Sequence, residues 1–246
     1  MPRSSVSSNR DLRGDFTPAV IDGALSEADC AELIGQASPR LAPATIQAHA
    51  HRRVASVRIC KVARVVVPPR VADQIVGVLG CSRAQLEPLE IVQYDPGGRF
   101  KPHYDYVVSK HFNESGGSRF ATALYFLNEG YEGGQLRFPA MSPVVTMEPK
   151  RGRLVHWPNV RDGERVTASL HEGTKVVSGV KWIAVVWARE WSGAPEYCDT
   201  VDAVYAAQRR AYDCPRAAPV LSYRGRASSA PAPLRPTPSD SGSLAT

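Results

Sequence analysis

Short apolar runs separated by glycine turns fill the chain between Leu86 and Glu190. The runs are rich in Val, Ile, Tyr, Phe and Trp, and Asp-Pro-Gly-Gly, Glu-Ser-Gly-Gly, Glu-Gly-Gly and Arg-Asp-Gly interrupt them. We predict strands near 89–94, 102–106, 119–127, 134–138, 144–147, 153–157, 168–172, 175–178 and 181–187. Many short strands with frequent glycine turns favour a sandwich or barrel over alternating β and α units.

Two helices are predicted before this β-rich region. The first begins after Ser26, a good N-cap residue, and has apolar positions at helical spacing through Ala37. The second follows Pro69, carries Val71, Ile75, Val76 and Leu79 on one side, and ends near Gly80. We expect both to support a sheet.

The flanking segments differ in composition from this centre. We predict a flexible leader at 1–15, an N-terminal helical support region at 16–85, a catalytic core at 86–190 and a C-terminal helical segment at 191–214. Residues 215–246 are rich in Ala, Pro, Ser and Arg and have few large apolar side chains, so we predict a disordered tail there.

The net charge of the chain is concentrated at its ends. Of the formal +6, residues 215–246 carry +3 and residues 1–15 carry +1, which leaves +2 for the body. A basic patch remains as a candidate nucleic-acid surface, but a solvated charged face is the favoured interpretation and nucleic acid is not the expected partner. This patch consists of Arg52, Arg53, Arg58, Lys61, Arg64 and Arg70.

The cysteines and the hydropathy profile narrow the class of protein further. The five cysteines are scattered and form no Cys-x-x-Cys pair, which argues against a disulfide framework and a zinc site. No apolar leader and no run of about 20 apolar residues occurs. We therefore expect a cytoplasmic protein without a membrane span, and its oligomeric state stays open.

A candidate metal site begins with His103 and Asp105. In a strand, residues i and i+2 point to the same face, so this pair would present an imidazole beside a carboxylate. Two histidines and one carboxylate on one face of an octahedral Fe(II) leave three positions open, enough for a chelating oxoacid and O2. A second histidine must then come from a distant strand.

His171 is the favoured second histidine, because it lies at a strand-to-turn transition late in the β region. His156 competes with it, but its apolar strand favours a wall or core residue. The other candidates fall in regions interpreted as loop or as preceding the barrel; they are His49, His51 and His111.

Four blocks of the chain match a known arrangement in order and spacing. They are Tyr-Asp-Pro-Gly-Gly-Arg-Phe-x-Pro-His-x-Asp at 94–105, Arg-Phe-Ala-Thr-Ala-Leu-Tyr-Phe-Leu-Asn at 119–128, Gly-Gly-Gln-Leu-Arg-Phe-Pro at 133–139, and His171 followed ten residues later by Lys181. In these blocks residues 86–190 resemble the prolyl 4-hydroxylase-type 2-oxoglutarate/Fe(II) dioxygenases. The resemblance implies a double-stranded β-helix (jelly-roll) core with Fe(II) bound by His103, Asp105 and His171.

The resemblance also implies an oxoacid pocket. Lys181 lies in a run of strand formers, where an inward charge is costly unless it is paired, and a dicarboxylate would pair it. In the family the corresponding basic residue binds the distal carboxylate of 2-oxoglutarate, and Tyr94 matches a tyrosine that hydrogen-bonds within the pocket. Many relatives have a tyrosine where this chain has Phe126. Thr122, on the same face by even spacing, is the expected replacement contact.

The implied reaction uses Fe(II), 2-oxoglutarate and O2, with L-ascorbate as a candidate reductant, and releases succinate and CO2. The nearest resemblance implies hydroxylation of peptidyl proline, hence a protein or peptide substrate, with residues 111–118 as a mobile lid. A free amino acid or other small metabolite is the alternative. Nucleic-acid demethylation is disfavoured because such oxygenases typically anchor the oxoacid with arginine, and halogenation because Asp105 fills the carboxylate position. An alternative of another class is a non-catalytic β-helix binding protein.

Overall fold

The computed structural model describes residues 16–44, 57–106 and 117–190. In chain order the strands are β1 (Ala19–Ile21), β2 (Ala42–Pro43), β3 (Arg58–Ile59), β4 (Lys61–Val65), β5 (Leu89–Tyr94), β6 (Arg99–His103), β7 (Arg119–Phe126), β8 (Glu132–Gly133), β9 (Leu136–Phe138), β10 (Val145–Met147), β11 (Leu154–Pro158), β12 (Val160–Arg161), β13 (Glu164–Arg165), β14 (His171–Gly173), β15 (Val176–Ser178) and β16 (Lys181–Arg189). The helices are α1 (Glu27–Ala37) and α2 (Pro69–Leu79).

The strands form two main antiparallel sheets. The larger has the order β1-β11-β7-β16-β5-β4-β2, and the smaller has the order β10-β9-β14-β6-β3. Strands that are neighbours in space are mostly distant in sequence, as in a jelly roll. The predicted mainly-β fold with a double-stranded β-helix core is confirmed.

Alternation along the strands of the large sheet divides its side chains between two apolar clusters. On β7, Leu124 and Phe126 face the small sheet and pack with Phe138 from β9, whereas Ala123 and Tyr125 face the helices. Burial of each large apolar side chain contributes roughly 1.5–3 kcal/mol. The inter-sheet cluster surrounds the candidate site, and the helices stabilise the opposite face.

The two predicted helices are confirmed. The Ser26 hydroxyl accepts from the Asp29 backbone N–H while the Asp29 carboxylate accepts from the Ser26 N–H, which forms a capping box at the start of α1. α2 begins with Pro69 and ends at Gly80, whose φ of +66° is the left-handed conformation that glycine adopts at low cost.

The prediction of a helical support region at 16–85 was incomplete. The strands β1, β2 and β4 from this region extend the large sheet, and β3 extends the small one. In β4 Ala63 and Val65 are buried and Lys61 is exposed, whereas in β3 it is the apolar Ile59 that is exposed. We had interpreted this stretch as a solvated charged face, because period-two alternation over a few residues is weak when charges dominate the composition.

Two predicted strands near the site are displaced. The strand expected at 102–106 is β6, which ends at His103, so Asp105 lies beyond it. The strand expected at 168–172 is a 3-10 turn, Thr167–Ser169, followed by β14. The β12–β13 hairpin was not predicted. Only Leu170 separates the 3-10 turn from β14, so no local signal in the sequence marked the boundary.

Several predictions fall outside the described residues. They are the leader at 1–15, the C-terminal helical segment at 191–214, the tail at 215–246, residues 111–116 of the proposed lid, and His49, His51 and His111. Within the described ranges, no helix has the length and apolar character needed to span a membrane.

Candidate active site

The three predicted metal ligands lie together at one end of the inter-sheet space. His103 ends β6 and His171 begins β14, and the two residues are paired in the strand register. Asp105 follows two residues after β6, with Oδ1 at 3.7 Å from His103 Nε2 and Oδ2 at 3.5 Å from His171 Nε2. One ligand atom from each residue lies within 4.8 Å of the others. Antiparallel pairing of distant segments therefore brings the cluster together.

Backbone carbonyls fix which nitrogen of each imidazole carries the proton. His103 Nδ1 lies 2.8 Å from the carbonyl oxygen of Lys101, and His171 Nδ1 lies 2.8 Å from that of Ser169. A carbonyl only accepts, so each Nδ1 carries the proton and donates it. In the neutral form of either ring, Nε2 then keeps a lone pair directed to the cluster, which is the form that binds a metal.

The ionisation states also suit a metal. Burial, together with the charge of neighbouring His171, lowers the pKa of His103 to about 3, so its imidazole is neutral at pH 7. Burial alone would raise the pKa of Asp105, but the adjacent histidines outweigh it and hold that pKa below its usual value. A neutral imidazole at His103 beside the ionised carboxylate of Asp105 provides the nitrogen and oxygen donors that suit a divalent first-row metal.

Aromatic rings limit the movement of both imidazoles. The Phe100 ring stacks on His103 with ring centroids 3.5 Å apart, and the Trp157 ring meets His171 nearly edge-on at 4.8 Å. Packing of this kind orients the ligands before any ion arrives.

A pocket of about 450 Å³, including the space at its mouth, opens beside the cluster. Lys181 begins β16 opposite Tyr94 of β5 and lines this pocket with it. Lys181 is 3% exposed, and its Nζ donates to the Gly134 carbonyl at 2.6 Å. Burial lowers the pKa of Lys181 from 10.5 to about 7. No carboxylate of the described residues forms a salt bridge with it.

Aromatic rings surround the Lys181 ammonium. Its Nζ lies 5.0 Å from the ring centroid of Tyr94 and 5.8 Å from that of Phe126. Burial raises the pKa of the Tyr94 phenol, which keeps the hydroxyl protonated as a donor. Phe126 thus lies beside the ammonium, and it is the position at which many relatives have a tyrosine.

The β-rich core is similar in sequence to a known family. Residues 89–189 match the sequence model of the 2OG-Fe(II) oxygenase superfamily. The match begins at β5 and ends at the last residue of β16, so the matched region includes the candidate metal ligands and both pocket residues Tyr94 and Lys181.

Individual relatives agree with this match. The chain is 33% identical over 121 residues to probable prolyl 4-hydroxylase 10 of Arabidopsis thaliana, with 42% of each protein covered. It is 30% identical over 166 residues to prolyl 4-hydroxylase subunit alpha-1 of Gallus gallus, covering 63% of this chain and 32% of that protein. The chain thus spans less than half the length of these curated relatives.

A solved structure resembles the whole fold. It is the viral collagen prolyl hydroxylase of Paramecium Bursaria Chlorella virus-1, in complex with 2OG. The identity is 25% and the TM-score 0.54, with 73% of this chain and 98% of that chain covered.

Thr122 occupies a different place from the one expected. It shares a face of β7 with Leu124 and Phe126, as the even spacing predicted, but it does not line the pocket. Its hydroxyl instead donates to Asp105 Oδ2 at 2.7 Å. The expected contact with the oxoacid is therefore replaced by a contact with a candidate metal ligand.

Arg58 is a pocket residue that sequence reasoning missed. We had assigned it to a basic surface patch, yet its side chain is 13% exposed and lines the pocket, where it is ion-paired with Glu90. Its guanidinium lies 5.0 Å from the Phe100 ring centroid. Burial alone would lower the pKa of Arg58, but the Glu90 carboxylate raises it. The local pattern gave no signal for this placement, because the neighbouring apolar residue Ile59 is the more exposed of the two.

His156 lies away from the cluster. It alternates on β11 with Val155 and Trp157, which face the inter-sheet space, so its imidazole is on the helix side. Burial lowers its pKa. The interpretation of His156 as a wall residue is consistent with this placement.

The residues present fit the groups that the family name implies. Two histidines and one carboxylate within reach of one another match the facial donor set of non-haem Fe(II) oxygenases. A buried ammonium in the same pocket, held by a single backbone carbonyl, fits the distal carboxylate of 2-oxoglutarate.

Proposed function

We propose that the chain is an Fe(II)- and 2-oxoglutarate-dependent dioxygenase that hydroxylates a C–H bond of peptidyl proline. The observation that carries the proposal is the buried Lys181 ammonium, which lacks a carboxylate partner among the described residues and shares one pocket with His103, Asp105 and His171. A buried cation is costly unless an anion pairs with it, so the pocket favours a dicarboxylate next to a metal.

Each residue has a defined role in this proposal. His103, Asp105 and His171 hold Fe(II) through two Nε2 atoms and one carboxylate oxygen. Lys181 binds the distal carboxylate of 2-oxoglutarate, and the Tyr94 hydroxyl donates a hydrogen bond within the same pocket. When bound, the iron and the oxoacid use O2 to convert C–H into C–OH, with release of succinate and CO2. The apolar pocket wall excludes water from these groups; it includes Leu124, Val185 and Ile183.

The charges of the pocket favour a peptide over a free amino acid. Arg58 is ion-paired with Glu90, a carboxylate that it shares with Arg64, so among the described pocket residues Lys181 is the cation without a carboxylate partner. The distal carboxylate of the oxoacid would pair with the Lys181 ammonium. A free amino acid would bring a second carboxylate, which would find no further unpaired cation among the described pocket residues. A proline within a peptide has no free carboxylate to pair. The prolyl hydroxylase names of the relatives point the same way.

Anaerobic titration with Fe(II) and 2-oxoglutarate, followed by measurement of succinate after air is admitted, tests the reaction. We expect succinate from the wild type in the presence of ascorbate and none from His171→Ala. His156→Ala is the matched control, because that imidazole lies on the other face of the sheet, and it should behave as wild type. Equal succinate release from wild type and His171→Ala contradicts the proposal.

The substrate is tested separately by mass spectrometry. Proline-rich peptides and free proline are incubated in parallel, and the gain of one oxygen atom is measured in each. Oxygen incorporated into peptides supports the proposal. If oxygen is incorporated into the free amino acid alone, the proposed substrate is wrong and the enzyme acts on a small metabolite. Binding of iron and oxoacid without any succinate indicates a non-catalytic binding protein.

A further inference from the structure

The three candidate metal ligands are not fixed in the same way. His103 and His171 are opposite each other in paired strands, so the sheet register holds their positions. Asp105 lies beyond the end of β6 and has no strand partner. Nevertheless its side chain is 5% exposed and faces both imidazoles. Something other than strand pairing must orient its carboxylate.

A chain of two side-chain hydrogen bonds reaches Asp105 from the large sheet. The Thr122 hydroxyl donates to Asp105 Oδ2 at 2.7 Å, and the Asn159 Nδ2 donates to the Thr122 hydroxyl oxygen at 2.8 Å. An ionised carboxylate only accepts, so the single hydroxyl proton of Thr122 is committed to Asp105. Its oxygen is thereby free to accept from Asn159, and the two bonds have one consistent direction.

The two donors are anchored on rigid backbone. Thr122 lies within β7, which is paired with β11 on one side and β16 on the other. The Asn159 backbone N–H donates to the Phe120 carbonyl at 2.7 Å, and its carbonyl accepts from the Val166 N–H at 2.9 Å. Both Thr122 and Asn159 are fully buried. They therefore connect a loosely placed carboxylate to the centre of the sheet.

The same anchor also leads to the second histidine. Val166, held by the Asn159 carbonyl, accepts a hydrogen bond on its own carbonyl from the Ser169 N–H, and the Ser169 carbonyl accepts from His171 Nδ1. Asn159 therefore contacts both paths: its backbone carbonyl holds the segment that leads to His171, and its side chain holds Thr122, which in turn holds Asp105.

We propose that Thr122 and Asn159 are positioning residues that hold the Asp105 carboxylate toward the two histidines for metal binding. The inference rests on the proposed function, because it takes His103, Asp105 and His171 as the ligands. The bond from Thr122 restrains rotation of the carboxylate and occupies Oδ2, and among the described residues no side chain donates a hydrogen bond to Oδ1. Hydrogen-bond partners of metal ligands typically change metal affinity by about 10–100-fold when they are removed.

Mn(II) binding to the apo protein, measured by calorimetry without 2-oxoglutarate, tests the inference. We expect Thr122→Val, which removes the hydroxyl at nearly constant volume, to weaken Mn(II) binding by about 10–100-fold. Thr122→Ser keeps a hydroxyl and should restore most of the affinity. The matched control is Thr174→Val, which removes a partly buried hydroxyl that donates to Gln135 Oε1 at 2.6 Å, and it should leave the affinity unchanged.

A double-mutant cycle tests the role of Asn159. Asn159→Leu should weaken Mn(II) binding less than Thr122→Val does, because it leaves the Thr122–Asp105 bond in place. The double variant should bind Mn(II) no more weakly than Thr122→Val alone, since Asn159 acts through the hydroxyl. Additive losses contradict a single chain and overturn the role of Asn159.

The remaining outcomes separate this inference from the proposed function. If the wild type binds Mn(II) and Thr122→Val binds it equally well, the positioning role is wrong while the metal site stands. If the wild type binds no Mn(II), the metal site fails and the inference fails with it. The apo melting temperature of each variant is measured alongside. If Thr122→Val does not fold, the comparison of Thr122→Ser and Asn159→Leu with wild type decides the result.

Discussion

Replacing Lys181 with methionine should stabilise the apo protein and strongly weaken binding of the oxoacid. The Lys181 side chain is almost completely buried, and within the described ranges its ammonium has one hydrogen-bond acceptor, the Gly134 carbonyl. Methionine fills a similar volume without a charge. The lysine is thus unfavourable for the empty protein and favourable for its complex, so the two effects of the substitution have opposite signs.

The lowered pKa of Lys181 gives the size of the stability effect. A pKa reduced from 10.5 to about 7 corresponds to roughly 4–5 kcal/mol of destabilisation when the lysine is charged, at about 1.4 kcal/mol per tenfold change. Loss of the hydrogen bond to Gly134 offsets about 1 kcal/mol. We therefore expect Lys181→Met to raise the free energy of unfolding by about 3 kcal/mol at pH 6.

The pH dependence has a definite sign. The folded protein releases the Lys181 proton near pH 7, and the unfolded chain releases it near pH 10.5. The destabilisation is complete below pH 7 and fades as the pH rises from 7 to 10.5. The advantage of Lys181→Met over wild type should therefore shrink across that window.

The oxoacid responds in the opposite direction. Removing one partner of a buried charge pair costs about 2–5 kcal/mol, so the affinity for 2-oxoglutarate should fall by about 30-fold or more. In the wild type, only protonated Lys181 pairs with the carboxylate, so the affinity should also weaken as the pH rises above 7. Lys181→Met should lose this pH dependence.

Urea unfolding of the apo protein between pH 6 and 10, with calorimetry of 2-oxoglutarate binding, measures both effects. Lys175→Met is the matched control, because Lys175 is exposed and its replacement should change neither quantity. The reasoning is refuted if Lys181→Met is no more stable than wild type at pH 6. It is also refuted if the stability difference does not decrease toward pH 10.

Three further substitutions have defined outcomes. Phe126→Tyr adds a phenol beside the pocket lysine and should tighten 2-oxoglutarate binding about tenfold in calorimetry, as a charge-assisted hydrogen bond would; unchanged affinity contradicts that placement. Glu87→Gln should lower the free energy of unfolding by about 3–5 kcal/mol at pH 7, because Glu87 is buried between two arginines. Those arginines outweigh burial and lower the pKa of Glu87 to about 2, so the loss should disappear in urea titrations as the pH falls from 4.5 toward 2. Gly152→Ala should destabilise far more than Gly163→Ala: both have positive φ, but an added Cβ at Gly152 would lie 2.2 Å from the Leu25 carbonyl oxygen, whereas Gly163 faces open space. Equal melting temperatures for these two variants would refute this steric argument.

The sequence by itself determined the elements whose signals are local. Ser26 and Gly80 mark helix ends by cap chemistry, and glycine turns delimit most strands of the core within a few residues. It also pointed to His103 and Lys181, because four blocks of the chain resemble prolyl 4-hydroxylase-type dioxygenases in order and spacing, whereas the His-x-Asp pair alone is a weak signal. Their assembly into one pocket agrees with that expectation, and their chemical roles stay predictions until the metal and oxoacid are measured.

Only the tertiary structure decided which distant residues meet. Arg58 belongs by composition to a charged surface, and pairing with Glu90, 32 residues away, buries it in the pocket. In the sequence, Asn159 is only a polar residue that follows a strand. Sheet pairing brings it within hydrogen-bond distance of Thr122, which lies 37 residues earlier. A local pattern specifies which face of an element is buried. It does not specify which strand becomes its neighbour, because that choice depends on packing summed over the whole core.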